Sequence, residues 1–312
     1  MRIAVLSLAF SLLESLLTAA GAPTHPAVGT GQGSEQVPTL PTLGTYQPAP
    51  TTLSYPNGVA VGTDGAVYVV DTDNAAVIKV SPLGTASTLI SSGLAYPTGI
   101  AVAADGTVYV ADAGAHDIKR LTTSGELSTL AAKGFTYPTG LALDATGTLY
   151  VADAGRGTTD GTIRKLTASG RLTTLASGFN KPKGVAVAAD GTVYVADTEN
   201  NSIKTISLTG VVAVLASVGL HQPHGVAIGA TNDVYVADTY DNNILKISAS
   251  SPLTPVASGF TYPTGIAVDA AGALYVTDTG HNALRKISPS GVVSTLADGT
   301  TGTVVRLPVG KD

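Results

Sequence analysis

The sequence contains no cysteine and no tryptophan, and only one methionine and four phenylalanines, in 312 residues. Without cysteine there is no disulfide, no thiolate metal site, no cysteine nucleophile and no lipid-modified N-terminal cysteine. A large domain buries enough apolar surface to fold without disulfides, so their absence leaves the compartment open. Charge is scarce as well: 12% of residues are charged, about half the usual share. A net charge of −5 and a pI near 5.4 supply no cationic surface for a phosphate backbone. Nine of the 17 basic residues fall at one repeated strand position (Lys79, Lys119, Arg120, Arg164, Lys165, Lys204, Lys246, Arg285, Lys286). They read as a solvated rim rather than a patch, which excludes nucleic acid as a partner.

Long apolar runs are missing too. The best candidate, Ile3 to Leu13, stops at Glu14 and falls short of the ~20 residues a bilayer span requires. With Arg2 before it and Ala20-Gly21-Ala22 after it, this stretch reads as a signal peptide over residues 1–22. A secreted, periplasmic or cell-surface protein is expected, with no membrane span. Residues 23–50 are rich in Pro, Thr, Gly and Gln and read as a linker. The folded part is expected over residues 51–312.

What the chain has in abundance is repetition. Prolines at Pro56, Pro97, Pro138, Pro182, Pro223 and Pro263 recur at spacings of 41, 41, 44, 41 and 40 residues. Each is followed two residues later by glycine and fifteen residues later by an aspartate: Asp71, Asp112, Asp153, Asp197, Asp238 and Asp278. A fixed period near 40 marks a repeat architecture. Within each repeat a Gly-Ile-Ala-Val-like strand leads to a tight turn such as Asp105-Gly106, expected as a type I′ hairpin. A second strand carries a tyrosine in every copy (Tyr68, Tyr109, Tyr150, Tyr194, Tyr235, Tyr275), and two further strands complete the unit. Six such units give an all-β fold, a six-bladed propeller of four-stranded antiparallel blades.

The runs Tyr-Pro-Thr-Gly-Ile-Ala-Val-Asp (262–269) and Leu-Tyr-Val-Thr-Asp-Thr-Gly-His-Asn-Ala-Leu-Arg-Lys-Ile (274–287) resemble NHL repeats. All six copies do, over residues 55 to about 297. The resemblance is closest to bacterial extracellular NHL propellers and implies a binding platform. Similar six-bladed propellers also include metal-dependent enzymes, the peptide-amidating lyases and the gluconolactonases.

The six aspartates could form a cation ring, but six identical copies fit a structural role as acceptors of backbone N–H groups. Asp71-Thr72-Asp73-Asn74 and the loop 197–201 resemble calcium loops but lack the distal glutamate and the glycine. His221-Gln222-Pro223-His224 is the one histidine cluster, and a metal would need His116 or His281 from other blades. The position after the repeat proline is Asn57, Thr98, Thr139, Lys183, His224 or Thr264, histidine once only, which speaks against the lyase set the resemblance implies. No inner strand carries a glutamate for a lactonase-like calcium set. Neither a metal nor another cofactor is expected.

Departures from the repeat are the remaining guide, because the fold does not demand them. They are the lengthened loop 154–161 with Arg156, the replacements Lys181, Lys183, Gln222 and His224 in the Tyr-Pro-Thr-Gly motif with His221 just before the second, and the insertion at Tyr240. Of these, Arg156, Lys181, Lys183, His221, His224 and Tyr240 are the candidates. These six residues form the expected binding site on one face of the third, fourth and fifth blades. The expected function is a monomeric scaffold for a protein or carbohydrate ligand, without catalytic activity. The alternative is a metal-dependent propeller enzyme, lyase or lactonase.

Overall fold

The computed structural model describes residues 52–298, apart from 132 and 250. The expected signal peptide and linker lie outside the described residues. Six four-stranded antiparallel sheets follow one another along the chain, each in simple consecutive order. The first comprises β1 (Pro56–Val61), β2 (Val67–Asp71), β3 (Ala76–Val80) and β4 (Ala86–Ile90). The innermost strands of the other five blades are β5 (Pro97–Val102), β9 (Pro138–Leu143), β13 (Pro182–Val187), β17 (Pro223–Ile228) and β21 (Pro263–Val268). Each packs on the next, and β21 packs on β1 to close the ring. This is the all-β six-bladed propeller that the repeats imply.

The apolar cores lie between blades rather than within them. Val69 and Ile78 of the first blade share a cluster with Tyr275 and Leu284 of the sixth. Tyr150 and Ile163 of the third blade likewise pack with Val193 and Ile206 of the fourth. A single repeat therefore has nothing to fold against, which makes the array cooperative. The sixth blade is built wholly from residues 263–297, so closure exchanges no strand. Side chains close it instead: Asn282 Oδ1 accepts the Tyr55 N–H at 2.8 Å, and Thr279 Oγ1 donates to the Pro56 carbonyl at 2.6 Å.

Two expectations change in detail. The Asp-Gly turns are not type I′, since only the glycine is left-handed (Gly65 φ 73°, Gly106 φ 88°). The aspartate instead caps its own turn: Asp64 Oδ1 accepts the Ala66 N–H at 3.0 Å and Asp105 Oδ1 that of Thr107 at 2.9 Å. This is the Asx role, which needs no positive φ at aspartate. Several basic residues of the third strands are not simply solvated either. Lys79, Lys165, Lys246 and Lys286 lie 5.0–5.9 Å over the rings of Tyr68, Tyr150, Tyr235 and Tyr275, within cation–π range.

The six repeat aspartates are all buried, and each accepts backbone N–H from the loop leading into its own blade. Asp112 takes those of Ala95 and Tyr96, both at 2.8 Å, and Asp278 that of Thr261 at 2.7 Å. They tie the loop before the first strand to the loop after the second, and so place both loops on one face.

Candidate functional site at the propeller axis

On that face the innermost strands surround a cavity of about 150 Å3. Its walls are set by the residue after each repeat proline, where the pairing of first and second strands breaks register. The break falls between Pro182 and Val185 and between Pro223 and Val226. In the second and third blades that residue is a threonine whose hydroxyl bridges to the next blade. Thr98 Oγ1 donates to the Pro138 carbonyl at 3.0 Å, and Thr139 Oγ1 to the Pro182 carbonyl at 2.9 Å.

In the first, fourth and fifth blades a different threonine makes the same bridge. Thr72, Thr198 and Thr239, each following its repeat aspartate, donate to the carbonyls of Pro97, Pro223 and Pro263 at 2.8–2.9 Å. The second and third blades have Ala113 and Ala154 at that place. With the bridge made from elsewhere, the axial position is released from structural duty. Asn57, Lys183 and His224 occupy it and line the cavity.

Lys183 and His224 meet there, Nζ to Nε2 at 3.0 Å. Burial lowers the Lys183 pKa to about 8, the Glu199 charge opposing the shift and the Lys181 charge adding to it. Burial also holds His224 well below its ordinary value, helped by the neighbouring Lys183 charge. At neutral pH the pair is an ammonium beside a neutral imidazole.

The other sequence-derived residues lie elsewhere on the same face. Lys181 is exposed and 3.8 Å from Glu199. His221 contacts Asp241 at 3.3 Å and lies 5.3 Å from the Tyr240 ring, which in turn lies 5.0 Å from Tyr262. Arg156 is exposed in a loop closed by Asp160, which accepts the Arg156 and Gly157 N–H groups at 2.9 and 2.8 Å. Of the six, the structure brings together Lys183 with His224 and His221 with Tyr240. Asn57, Tyr55, Tyr96 and Tyr137 also line the cavity and escaped the sequence reading, because the tyrosines belong to the repeat itself. Asn57 had a signal: Asp-Thr follows the second strand in every blade whose axial residue is not threonine, although the sixth blade combines Thr279 with an axial Thr264 bonded to it at 2.6 Å.

The donor set does not fit a divalent cation. Among the described residues no three His, Asp, Glu or Cys side chains converge, and the Lys183 ammonium faces the nitrogen that would bind it. His221 and His224 part to rim and axis, while His281 is held by Asp278 and Thr261 at 2.9 and 3.2 Å.

Asp238 is the exception among the repeat aspartates. Its Oδ1 accepts the His221 N–H at 2.8 Å, but its buried Oδ2 has no partner. In the first and fourth blades an asparagine three residues on fills this role: Asn74 donates to Asp71 and Asn200 to Asp197, both at 2.8 Å. The fifth blade has Asp241 there. Burial, with a smaller contribution from Asp241, raises the Asp238 pKa to about 6. A raised carboxylate pKa favours the folded state below the unfolded value near 4, and that advantage is lost as pH rises through about 6. Asp241→Asn supplies the donor and removes the like charge. It is expected to stabilise the protein at pH 7 by about 1–2 kcal/mol and to flatten the loss of melting temperature between pH 4 and 6. The His221 contact forfeited is exposed and worth little. A lower melting temperature at pH 7 would contradict this account.

A family model for the virginiamycin B lyase family matches residues 32–247, and one for the NHL repeat matches residues 260–287. No curated protein matches the sequence. Among solved structures, virginiamycin B lyase from Staphylococcus aureus superposes with a TM-score of 0.61 at 17% identity, over 80% of this chain and 86% of that one. A gluconolactonase from Xanthomonas campestris gives 0.67 at 17%, over 78% and 87%. A chain of a nidogen/laminin complex gives 0.66 at 20%, over 74% and 93%. At these identities the superpositions speak for the fold alone. The family match overturns the expected scaffold without catalytic activity. Lys183 and His224, expected as rim contacts to a macromolecule, instead meet inside a small axial cavity. Matched over most of its length, the chain belongs to the virginiamycin B lyase family.

Proposed function

We propose that this chain is a lyase that breaks a C–O bond by elimination at the axial pocket. The observation that carries the proposal is the Lys183–His224 pair, 3.0 Å apart, at a position that the threonine bridges release from structural duty. Elimination needs a base for a proton on carbon and a positive group beside the oxygen where charge develops. A neutral His224 supplies the first and the Lys183 ammonium the second. While Lys183 donates to Nε2 the base is masked. A substrate carbonyl or carboxylate oxygen draws the ammonium to itself and frees the lone pair. The C–H proton passes to Nε2, its electrons form the carbon–carbon double bond, and the C–O bond breaks.

The signal peptide expected over residues 1–22 supports action outside the cytoplasm. Among the described residues no helix is long and apolar enough to cross a membrane.

The test is mass spectrometry of products from virginiamycin B, quinupristin and a panel of esters and lactones. Elimination opens a ring without changing mass and adds an ultraviolet-absorbing double bond. Products heavier by one water would replace this reading with a lactonase.

A further inference from the structure

The axial cavity has two unlike walls. Tyr55, Tyr96 and Tyr137 come from the first three blades and keep 36–43% of their surface exposed. Among the described residues none of the three stacks on another aromatic ring. Lys183 and His224, from the next two blades, form the other wall.

Among the described residues no carboxylate lies within ion-pair distance of Lys183. The nearby Glu199 is taken by the exposed Lys181 at 3.8 Å. The hydroxyls of Thr98 and Thr139 are committed to backbone carbonyls. The cavity thus presents a cation with no carboxylate in contact, Glu199 acting on it only from beyond ion-pair distance, facing a wall of phenols. A half-buried ammonium in that state is complementary to an anion brought by the ligand. Phenols offer an apolar face to ring C–H groups and a hydroxyl to ring hydroxyls. They stand on separate blades, so they form a broad wall rather than a slot between parallel rings that a flat aromatic group would prefer.

We propose that the pocket takes a carboxylate-bearing sugar ring, a uronate within an oligosaccharide, with its carboxylate on Lys183 Nζ and its ring against the tyrosine wall. This assignment rests on the lyase reading for the chemistry that follows. Pairing the carboxylate with the ammonium acidifies the C–H beside it, and His224 Nε2 takes that proton. The electron pair forms a double bond in the ring, and the neighbouring glycosidic C–O bond breaks. The departing oxygen takes a proton from water and His224 returns its own to solvent, so no co-reactant is consumed.

The test is titration calorimetry of the full chain with a galacturonic acid oligomer and with the neutral galactose oligomer of the same length. The uronate is expected to bind about ten- to a hundredfold more tightly. Lys183→Met should remove that difference and Lys183→Glu should reverse it, while Tyr96→Ala should weaken both ligands by about tenfold. The melting curve of each variant confirms that it is folded. Equal binding of the two oligomers, or an undiminished preference in Lys183→Met, would overturn the assignment, as would binding of aromatic carboxylates in preference to both sugars. The two readings fail separately. Uronate binding with no unsaturated product from the uronate or from any of the esters and lactones sinks the lyase reading alone, whereas elimination on cyclic esters without uronate binding sinks the substrate assignment alone.

Discussion

Lys183→Met is expected to melt at a higher temperature than the unaltered chain and to have lost its activity. The stability gain follows from the environment of the ammonium. Burial lowers the Lys183 pKa to about 8, against roughly 10.4 in an unfolded chain. For a lysine so shifted, the charged form is penalised in the folded state. Stability is complete above the unfolded pKa, falls as pH drops through the interval down to about 8, and stays low below it. At pH 7 methionine removes that penalty while keeping the aliphatic stem. Allowing for the partial exposure of the side chain, the gain is about 1–3 kcal/mol, and it should vanish near pH 11. The loss of activity follows from the chemistry. Removing the group that neutralises the developing charge costs about 10^2–10^4 in kcat. If the proposed lyase activity holds, the unaltered chain should lose it as pH rises past about 8, where Lys183 gives up its proton. Calorimetric melting and initial rates across pH check both halves. A variant that stays active would remove Lys183 from the chemistry, and one that melts lower at pH 7 would mean that Lys183 serves the fold.

Gly99→Ala is expected to destabilise the propeller by about 3 kcal/mol or more, lowering the melting temperature by about 6–12 °C. The glycine two residues after each repeat proline sits where adjacent innermost strands approach one another at the axis. A Cβ at Gly99 would collide with the Thr139 carbonyl of the next blade. Equivalent collisions await at Gly140 against the Lys183 carbonyl and at Gly184 against that of His224. None of these three needs a positive φ, so the constraint is space. A single open sheet could yield, but the closed ring cannot, because displacing one strand pushes on the next all the way round. Gly125→Ala is the control. That residue is left-handed at φ 87° with open space around it and should cost only about 1 kcal/mol, the conformational term alone. If the two variants melt together, close packing at the axis is not what the repeated glycine secures.

The repeats made the architecture legible because each requirement recurs six times. Asp112 and its equivalents anchor a loop by accepting backbone N–H groups, and a role needed in every blade is written in every blade. The turn type was less legible. Asp-Gly suits either of two hairpin geometries, and the choice depends on whether the aspartate side chain caps the turn, as Asp64 does for Ala66. The tyrosine wall was hidden in plain view, since Tyr55, Tyr96 and Tyr137 look like three more copies of the motif.

By itself, the sequence determined the number of blades, the order of strands and the identity of the axial residues, since these depend on local spacing and on residues adjacent in the chain. It also determined that Lys183 and His224 depart from the threonine of their neighbours. Only the tertiary structure decided what that departure is for. Lys183 and His224 lie 41 residues apart, and they meet because ring closure brings the start of every innermost strand to one axis. The same closure releases them, since Thr198 and Thr239 reach the carbonyls of the next blade that axial threonines would otherwise hold. It also strips water from the ammonium and imidazole together. A charge loses its hydration only where blades converge, and convergence is a property of the closed ring that no single repeat possesses.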